Sequence, residues 1–384
     1  MFDRAKVNRR NVISGIGAAS VFGLAGCLGN GGSEEGGSSG AGSLTSINYM
    51  DSWIPEGNVG PIFRALTEDD YAERGLAVNM SRGHGSSSTA QAVGTGRADI
   101  GFAGITATAS VHQEGLDNLV WISPLQPNVL SAVIGAPGVE LDELSDVEGT
   151  TAARQSGSVN WIVGQGVMQQ EGIDMDSIDF EVTDANTQLL VQGEVDWTLN
   201  WAADIPELWM GAEGDGYEPD VVPFRNFTQA FGNGFVTREE FLDENPEAVE
   251  AFLDAAYSKY LESLEQGVEG AESDADAIFQ LFEEISAGVG SREVHTGFAL
   301  MFRDMLMTDT TEEHGLGYMD DETLEGSLEL INENIVDDPI TREELIPEER
   351  LVESGQYEIP NFAEKKAEHD VIELGDNVFD NPLR

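Results

Sequence analysis

RGHGSSSTAQAVGTGRADIGFAG, residues 82–104, contains a loop, a helix and a strand in direct succession. The loop is built from glycine and serine, the segment 87–96 has the small and apolar residues of a short helix, and DIGFA (99–103) has the composition of a buried strand. A loop of this kind at the start of a helix leaves backbone N–H groups uncovered, so it either binds an anion or only turns the chain. The stretch predicts one unit of an α/β sheet with a loop at the sheet edge.

The segments on both sides of this stretch continue the alternation. Strand-like segments lie at 46–50, 76–80, 99–103 and 119–123, and helical segments lie between them at 61–75, 87–96 and 106–115. A second unit begins near Val133, with helices at 156–172 and 187–193 and strands at 179–183 and 195–201. Strands that alternate with helices form mostly parallel sheets covered on both faces, so we expect an α/β fold.

The order of the segments predicts two lobes joined by two crossings. FGNGFVT (231–237) returns the chain to the first unit, and a long helix follows at 247–264. The expected domains are lobe 1 at 44–132 and 234–384, and lobe 2 at 133–233. Ligands of open α/β sheets bind at the carboxyl ends of the strands, so the cleft between the lobes is the expected binding site.

The composition indicates a folded protein with a very acidic surface. Among 384 residues, 71 are acidic and 19 are basic, which gives a formal charge of −52. The 17 Phe, 6 Trp and 7 Tyr supply a core that a disordered acidic chain lacks. Salt at molar concentration screens such a charge, so the composition is typical of a protein adapted to high salt. The same charge argues against nucleic acid as a partner.

The N-terminus has the features of an export signal followed by a lipid anchor. Arg9 and Arg10 precede a short apolar segment at 12–26, which resembles a twin-arginine signal. The segment ends in Leu-Ala-Gly before Cys27, which resembles a lipobox in which the cysteine carries lipid. Cys27 is the only cysteine, so an intrachain disulfide is excluded, and a buried structural thiol is the alternative. With a Gly/Ser/Glu tether at 28–43, the folded part is expected outside the cytoplasm, anchored to the outer face of the cell membrane.

Several segments occur in an order that is known from one family. They are YMDSWIPEG (49–57), AERGLAVNM (72–80), GTGRADIGFAG (94–104), VEGTTAARQSGS (147–158), VQGEVDWTLNW (191–201) and NGFVTREEFLDENPEAVEAFLDAAY (233–257). Together they resemble the solute-binding proteins of ABC importers for nitrate, sulfonates, taurine and thiamine pyrimidines, the NMT1/THI5-like superfamily. The leader and the acidic composition resemble those of haloarchaeal lipoproteins.

This resemblance implies a fold, a function and partners. The fold is the two-lobed periplasmic-binding-protein fold of type II, which closes on a small molecule. The partners are an ABC permease and its ATPase, and the resemblance implies neither a cofactor nor an oligomer, so a monomer is expected.

Two loops at helix starts are candidate ligand contacts. In the family the loop before the 87–96 helix faces the ligand, and its candidates here are Gly85, Ser86, Ser87, Ser88 and Thr89. A second loop of the same kind contains Ser156, Gly157 and Ser158. Their N–H and hydroxyl groups suit an anion, and a plain N-cap and turn is the alternative reading of each loop.

Further candidates follow strands. Trp53 belongs to a segment that lines the pocket in pyrimidine-binding relatives as Trp-x-Pro-Asn, but here Glu56 stands in place of that asparagine. The alternative role of Trp53 is core packing, and that of Asp204 is a helix cap. The remaining candidates are Asn58, Thr106, Gln126 (also plausible as a hinge residue), Asn200 and Trp201.

The sequence therefore predicts a lipid-anchored solute-binding protein and not an enzyme. Its ligand is expected to be a sulfonate- or nitrate-like anion or a pyrimidine-like heterocycle. Two alternatives stay open: a thiamine-pyrimidine synthase-like enzyme, whose cysteine-rich motif is missing here, and a ligand-sensing lobe of a signalling system. No Gly-x-Ser-x-Gly elbow is present between residues 44 and 384, and the five histidines have no metal-like spacing, so neither catalytic nor metal-binding residues are predicted.

Overall fold

The structure, a computed structural model, describes residues 44–155, 158–211, 217–346, 357–374 and 377–383. The predicted signal residues Arg9 and Arg10, the predicted lipid site Cys27 and the tether 28–43 lie outside these residues, as do Ser156 and Gly157. In the described part of the chain, no helix is long and apolar enough to span a membrane.

The secondary structure alternates along most of the described chain. The strands are β1 (Thr45–Met50), β2 (Leu76–Ser81), β3 (Ile100–Gly104), β4 (Leu119–Pro124), β5 (Ser131–Gly135), β6 (Thr151–Arg154), β7 (Asp179–Val182), β8 (Trp197–Trp201), β9 (Val221–Pro223), β10 (Asn233–Arg238), β11 (Val371–Leu374) and β12 (Asn377–Asp380). The helices are α1 (Gly60–Thr67), α2 (Asp70–Glu73), α3 (Ser86–Gly94), α4 (Ile105–Gln113), α5 (Val159–Gln170), α6 (Asn186–Val191), α7 (Ile205–Gly211), α8 (Glu239–Glu244), α9 (Pro246–Gln266), α10 (Val268–Ser286), α11 (Arg292–Leu306), α12 (Asp309–His314), α13 (Asp321–Asn334), α14 (Arg342–Leu345) and α15 (Phe362–Ala367).

Two five-stranded sheets have the same design. In the first, the order is β2-β1-β3-β10-β4, and β10 runs antiparallel to both of its neighbours. In the second, the order is β7-β6-β8-β5-β9, and β5 is the antiparallel strand. We call the parts of the chain around these sheets lobe 1 and lobe 2. The prediction of mostly parallel sheets flanked by helices is confirmed, with one reversed strand in each sheet.

The reversed strands follow from the two crossings. The chain leaves lobe 1 after β4 and enters lobe 2 directly as β5, and it returns after β9 as β10. A short connection between sheets brings the next strand in from the opposite end, so β5 and β10 run against their neighbours. The crossings match the predicted order of the segments, and the exact lobe boundaries stay predictions.

The strands of lobe 1 are apolar because helices cover both faces of the sheet. All residues of β3 and β4 are buried, as expected for central strands without a solvent face. An aromatic cluster of Tyr49, Phe235, Phe252 and Tyr71 connects this sheet to α9, with Tyr71 stacked on Phe252 at 5.0 Å between ring centroids. This packing fixes the end of β1, from which part of the cleft is built.

The C-terminal helices pack on both lobes. Helix α11 contacts the short turn at 57–59 in lobe 1 and α7 in lobe 2, where a Cβ added to Gly297 would come within 2.6 Å of Pro206. Helix α13 packs on α4 and α5 in the same bridging manner. The region 234–384, assigned to lobe 1 from the sequence, therefore also supports lobe 2.

Candidate functional site

A cavity of about 430 Å³ lies between the two sheets at the carboxyl ends of their strands. Lobe 1 contributes the segment after β1 and the start of α3, and lobe 2 contributes the starts of α5 and α6, the end of β8 and the start of α7. Its polar and aromatic lining residues include Asp51, Ser52, Trp53, Glu56, Asn58, Ser86, Gln155, Ser158, Asn160, Asp184, Asn186, Thr187, Gln188, Asn200, Trp201, Asp204 and Glu207. The size suits a small organic molecule.

Many sequence-predicted candidates line this cavity. They are Trp53, Asn58, Gly85, Ser86, Ser158, Asn200, Trp201 and Asp204. They come from segments far apart in the chain, and the fold brings them together because the carboxyl ends of parallel strands share one edge of each sheet.

Other candidates in the first loop make hydrogen bonds that stabilise the loop and do not line the cavity. Thr89 is buried, and its hydroxyl donates to the Asp51 carbonyl at 2.8 Å. The Ser88 hydroxyl donates to the Gly85 carbonyl at 2.8 Å. Gly85 has a φ of 107°, a backbone conformation that favours glycine. Ser87, Ser88 and Thr89 are not among the lining residues, because the first turn of α3 directs only Gly85 and Ser86 to the cavity.

Thr106 and Gln126 also lie away from the cavity. Thr106 is buried in the first turn of α4. Gln126 follows β4 at the first crossing, where its side-chain carbonyl accepts from the Asn233 backbone N–H at 2.7 Å. This hydrogen bond joins the outgoing and returning crossings, which agrees with the hinge alternative for Gln126 and not with a ligand contact.

The second loop contributes a helix cap. The Ser158 hydroxyl accepts from the Trp161 backbone N–H at 3.2 Å, so it caps α5 as in the plain N-cap alternative. Arg154, just before this loop, stacks over the Trp161 ring at 3.9 Å from the centroid. Arg154 therefore has a partner outside the cavity and is not one of the lining residues.

A network of amides forms the floor in lobe 2. The Asn186 side-chain amide donates to the Asn200 side-chain carbonyl at 2.8 Å, and Asn200 donates to the Thr187 hydroxyl at 3.1 Å. Ser131 holds the Asn160 side-chain carbonyl at 2.7 Å. These bonds fix which way each amide points, so the floor is set before a ligand arrives. Sequence reasoning found Asn200 but missed Asn160, Asn186 and Thr187, which lie at helix starts; of these, Asn186 and Thr187 follow a predicted strand.

The chemical character of the cavity is acidic. Asp51, Glu56, Asp184, Asp204 and Glu207 line it, and no Lys, Arg or His is found among the lining residues in the described parts of the chain. The sequence reasoning included only Asp204 of these five. Two features of the sequence could have identified further cavity carboxyls. Glu56 replaces an asparagine of the family segment, and Glu207 follows the candidate Asp204 by one helical turn.

Burial shifts the acid–base behaviour of four of these carboxyls. It raises the pKa of Asp51 to about 6 and that of Glu207 to about 7. Burial, together with the neighbouring Glu207, raises the pKa of Asp204 to about 8. The pKa of Glu56 is raised well above its usual range by burial and then by Asp204, Glu207 and Asp51. The cavity thus holds carboxyl groups whose charged form is disfavoured by burial.

The carboxyls differ in their hydrogen bonds. Asp51 accepts from the Tyr49 hydroxyl at 3.1 Å and from the Trp53 backbone N–H at 3.3 Å. Oδ1 of Asp204 is buried without a hydrogen-bond partner. Within the described residues, the side chains of Glu56 and Glu207 have neither hydrogen-bond nor ion-pair partners. In the same part of the chain, no three His, Cys, Asp or Glu side chains are placed to hold a metal ion.

The chain matches one protein family over much of its length. A family model described as "NMT1/THI5 like" matches residues 56–266, more than half of the 384 residues. No curated protein sequence matches the chain. The matched range begins at Glu56 and includes all cavity segments from there to the end of α9.

Solved structures share the fold at low sequence identity. A protein from Bordetella bronchiseptica RB50 is 16% identical with a TM-score of 0.59, over 79% of this chain and 95% of that chain. The ligand-binding component of an ABC-type import system from Staphylococcus aureus, solved with zinc bound, is 12% identical with a TM-score of 0.59, over 82% of this chain and 100% of that chain. The periplasmic aliphatic sulphonate binding protein of Escherichia coli is 15% identical with a TM-score of 0.51, over 67% and 79%.

These matches agree with the resemblance inferred from the order of the sequence segments, which is confirmed. At such identities the solved structures establish the fold alone, and the family model establishes the membership. The chain belongs to the NMT1/THI5-like family and has the two-lobed fold of periplasmic binding proteins.

Proposed function

We propose that this protein is the extracytoplasmic solute-binding component of an ABC importer. It captures a small molecule between its lobes and delivers it to a membrane permease and its ATPase. The observation that supports the proposal is the cavity itself, which is lined by side chains from both lobes at the carboxyl ends of both sheets. Membership of the family supports the same role.

The mechanism is a shift of population between open and closed forms. A ligand that contacts both lobes at once binds the closed form more tightly and therefore increases its share. The two crossings between the lobes, at β4–β5 and β9–β10, are the natural hinge. The closed form is the one that the permease recognises.

The two ligand classes expected from the sequence differ in how well they suit the cavity. A sulfonate- or nitrate-like anion would face the carboxyls of Glu56, Asp204 and Glu207 without a basic side chain among the described lining residues. A pyrimidine-like heterocycle offers amino groups that donate to carboxylates, and its ring suits Trp53 and Trp201. The lining therefore favours the heterocycle of these two classes.

A binding assay with product analysis tests the function. The purified full chain is mixed with candidate solutes in multimolar KCl, and its unfolding temperature is measured. A solute present at about a hundred times its Kd adds roughly 2.7 kcal/mol to the free energy of unfolding. We expect a rise in the unfolding temperature and full recovery of the unchanged solute. Conversion of the solute would support the enzyme alternative and contradict the proposal.

The proposal includes a lipid anchor on Cys27 after export directed by Arg9 and Arg10. Replacement Cys27→Ser removes the only thiol that can carry the lipid, so the protein is expected in the soluble fraction of the cell exterior. The measurement is fractionation combined with incorporation of a labelled fatty acid or isoprenoid. Retention of Cys27→Ser in the membrane fraction would contradict the anchor.

A further inference from the structure

The acidic side chains of the cavity come from both lobes. Glu56 lies in the segment after β1 of lobe 1, and Asp204 and Glu207 lie at the start of α7 in lobe 2. The three carboxyls line one cavity, and burial together with Asp204 and Glu207 raises the pKa of Glu56. Closing the cleft on an empty cavity therefore brings like charges together, and this opposes closure.

None of the three carboxyls is paired with a basic side chain in the part of the chain that the structure describes. In the described chain, Glu56 and Glu207 have no ion-pair partners, and Oδ1 of Asp204 is buried with no hydrogen bond. Arg154, which directly precedes the lining residue Gln155, is stacked on Trp161. Buried carboxylates without partners are costly, so in the ligand-free protein these groups take up protons, and a ligand that supplies the opposite charge displaces the protons.

Other polar and aromatic groups of the cavity point to an organic partner. The Ser86 hydroxyl is buried, lines the cavity and has no hydrogen-bond partner among the described residues. Trp53 and Trp201 are partly exposed and line the same space. Aromatic faces beside carboxylates are the surroundings in which proteins bind substituted ammonium groups.

From this arrangement we infer that the ligand carries a positively charged amino or quaternary ammonium group, held between Glu56 of lobe 1 and the pair Asp204 and Glu207 of lobe 2. This inference rests on the proposed solute-binding function and narrows the class of ligand. The ammonium group removes the repulsion across the cleft, so binding and closure are coupled through charge. The rest of the ligand contacts Ser86 and the amide floor.

Binding of such a group has a pH dependence with a defined sign. The carboxyls must be charged to hold the cation, and burial raises the pKa of Asp204 to about 8 and of Glu207 to about 7. Affinity therefore rises between pH 6 and pH 8 with release of protons, whereas an anion would bind more weakly over the same range. Other ionisable groups nearby are Asp51 and Asp184 on the wall, His295 under the 57–59 turn, and Asp274, which pairs with Arg303 at 3.0 Å.

Matched probes test the charge of the ligand. Choline is compared with its neutral isostere 3,3-dimethyl-1-butanol, and taurine with ethanesulfonate, by calorimetry on the purified full chain in multimolar KCl. Each ammonium compound is expected to bind at least about tenfold more tightly than its partner, a difference of about 1.4 kcal/mol. Preference for choline alone indicates a simple cation, and preference for taurine indicates a zwitterion; both support the inference. Equal or tighter binding of the uncharged or anionic partner in both pairs, or no binding of either ammonium compound, overturns it.

Isosteric variants identify the carboxyls. Glu56→Gln, Asp204→Asn and Glu207→Gln are each expected to weaken binding of the ammonium probe about tenfold and to reduce the number of protons released. Glu272→Gln, an exposed position on α10, makes the same charge change away from the cavity and should leave both quantities unchanged. The unfolding temperature of each variant shows that it is folded. Wild-type affinity and proton release in all three cavity variants would overturn the inference.

The same data separate this inference from the proposed function. Tight binding of ethanesulfonate, with its full recovery, would leave the solute-binding function intact and remove the ammonium ligand. Chemical conversion of any probe would remove the proposed function instead.

Discussion

At the residue scale, Asp204 shows what is unusual about the cavity. It ends a short 3-10 turn before α7, one of its carboxyl oxygens is buried without a partner, and Glu207 lies one turn further on. Because Oδ1 has no hydrogen-bond partner, this oxygen does not act as a cap of α7. A carboxylate in this position lowers the free energy of unfolding when it is charged and has no partner of opposite charge.

The raised pKa of Asp204 predicts a pH-dependent stability. An unfolded Asp titrates near 3.8, while the folded pKa is about 8, so the folded state binds more protons between these values. Stability of the ligand-free protein therefore falls as the pH rises through this window. Asp204→Asn should raise the unfolding temperature more at pH 8 than at pH 5. Thermal unfolding at the two pH values measures this, and an equal change at both would contradict the prediction.

Thr89 carries a different prediction. Its hydroxyl donates to the buried Asp51 carbonyl, which ties the start of α3 to the segment after β1. Thr89→Val keeps the shape but leaves this carbonyl unsatisfied, so we expect a loss of about 1–3 kcal/mol in the free energy of unfolding. The exposed Thr95→Val, which removes a helix-end hydrogen bond to Gln91, should lose much less. Chemical denaturation compares the two.

At the element scale, the turn at 57–59 determines where Glu56 and Asn58 lie. A Cβ added to Gly57 would come within 1.7 Å of the His295 carbonyl on α11, so the turn and this helix are in direct backbone contact. Helix α11 also packs on α7, the element that carries Glu207. We call the carboxyls of Glu56, Asp204 and Glu207 the acidic wall. Its lobe 1 part and its lobe 2 part thus both lie on elements that pack on α11.

Replacement Gly57→Ala should therefore disturb both stability and binding. The added methyl group forces the turn away from α11, at a cost of about 1–3 kcal/mol in the free energy of unfolding, and displaces Glu56. Gly94→Ala, whose closest contact would be the flexible Leu116 side chain at 3.2 Å, is the control. Denaturation and ligand calorimetry on both variants measure the effect. Unchanged affinity in Gly57→Ala would show that the turn does not position Glu56.

At the scale of the whole molecule, charge is the dominant property. The sequence carries a formal charge of −52, and most of its acidic residues are exposed. At 0.1 M salt the Debye length is about 10 Å, and at 1 M it is about 3 Å, so repulsion over the surface is screened only at high salt. The unfolding temperature should rise steeply with KCl concentration. A flat profile would argue against adaptation to high salt.

The sequence predicts β1 to β4 of lobe 1 because their signals are local, whereas β5, β6 and β9 of lobe 2 were not assigned. Buried strands such as β3 leave continuous apolar runs, and the loops at their ends are rich in glycine and serine. The same logic placed Trp53, Ser86 and Asn200 near the cleft.

The acidic wall was not predicted because it depends on long-range packing. Glu56 and Glu207 lie far apart in the sequence and in different lobes, and they meet in one cavity beside α11, which packs on both of their elements. In a chain with so many surface carboxylates, nothing local marks these few as buried. The elements that α11 and α13 contact were not predictable for the same reason. The pattern of an amphipathic helix shows that one face is buried, but it does not show which element covers that face.

Helix α11 has a consequence for how such proteins diverge. It begins at Arg292, beyond the range 56–266 matched by the family model. A substitution on its buried face moves the Glu56 turn and α7 together, although no side chain that touches the ligand has changed. In this chain, a change in which solute is preferred is therefore expected to follow from a substitution in this C-terminal helix, even when every cavity residue stays the same.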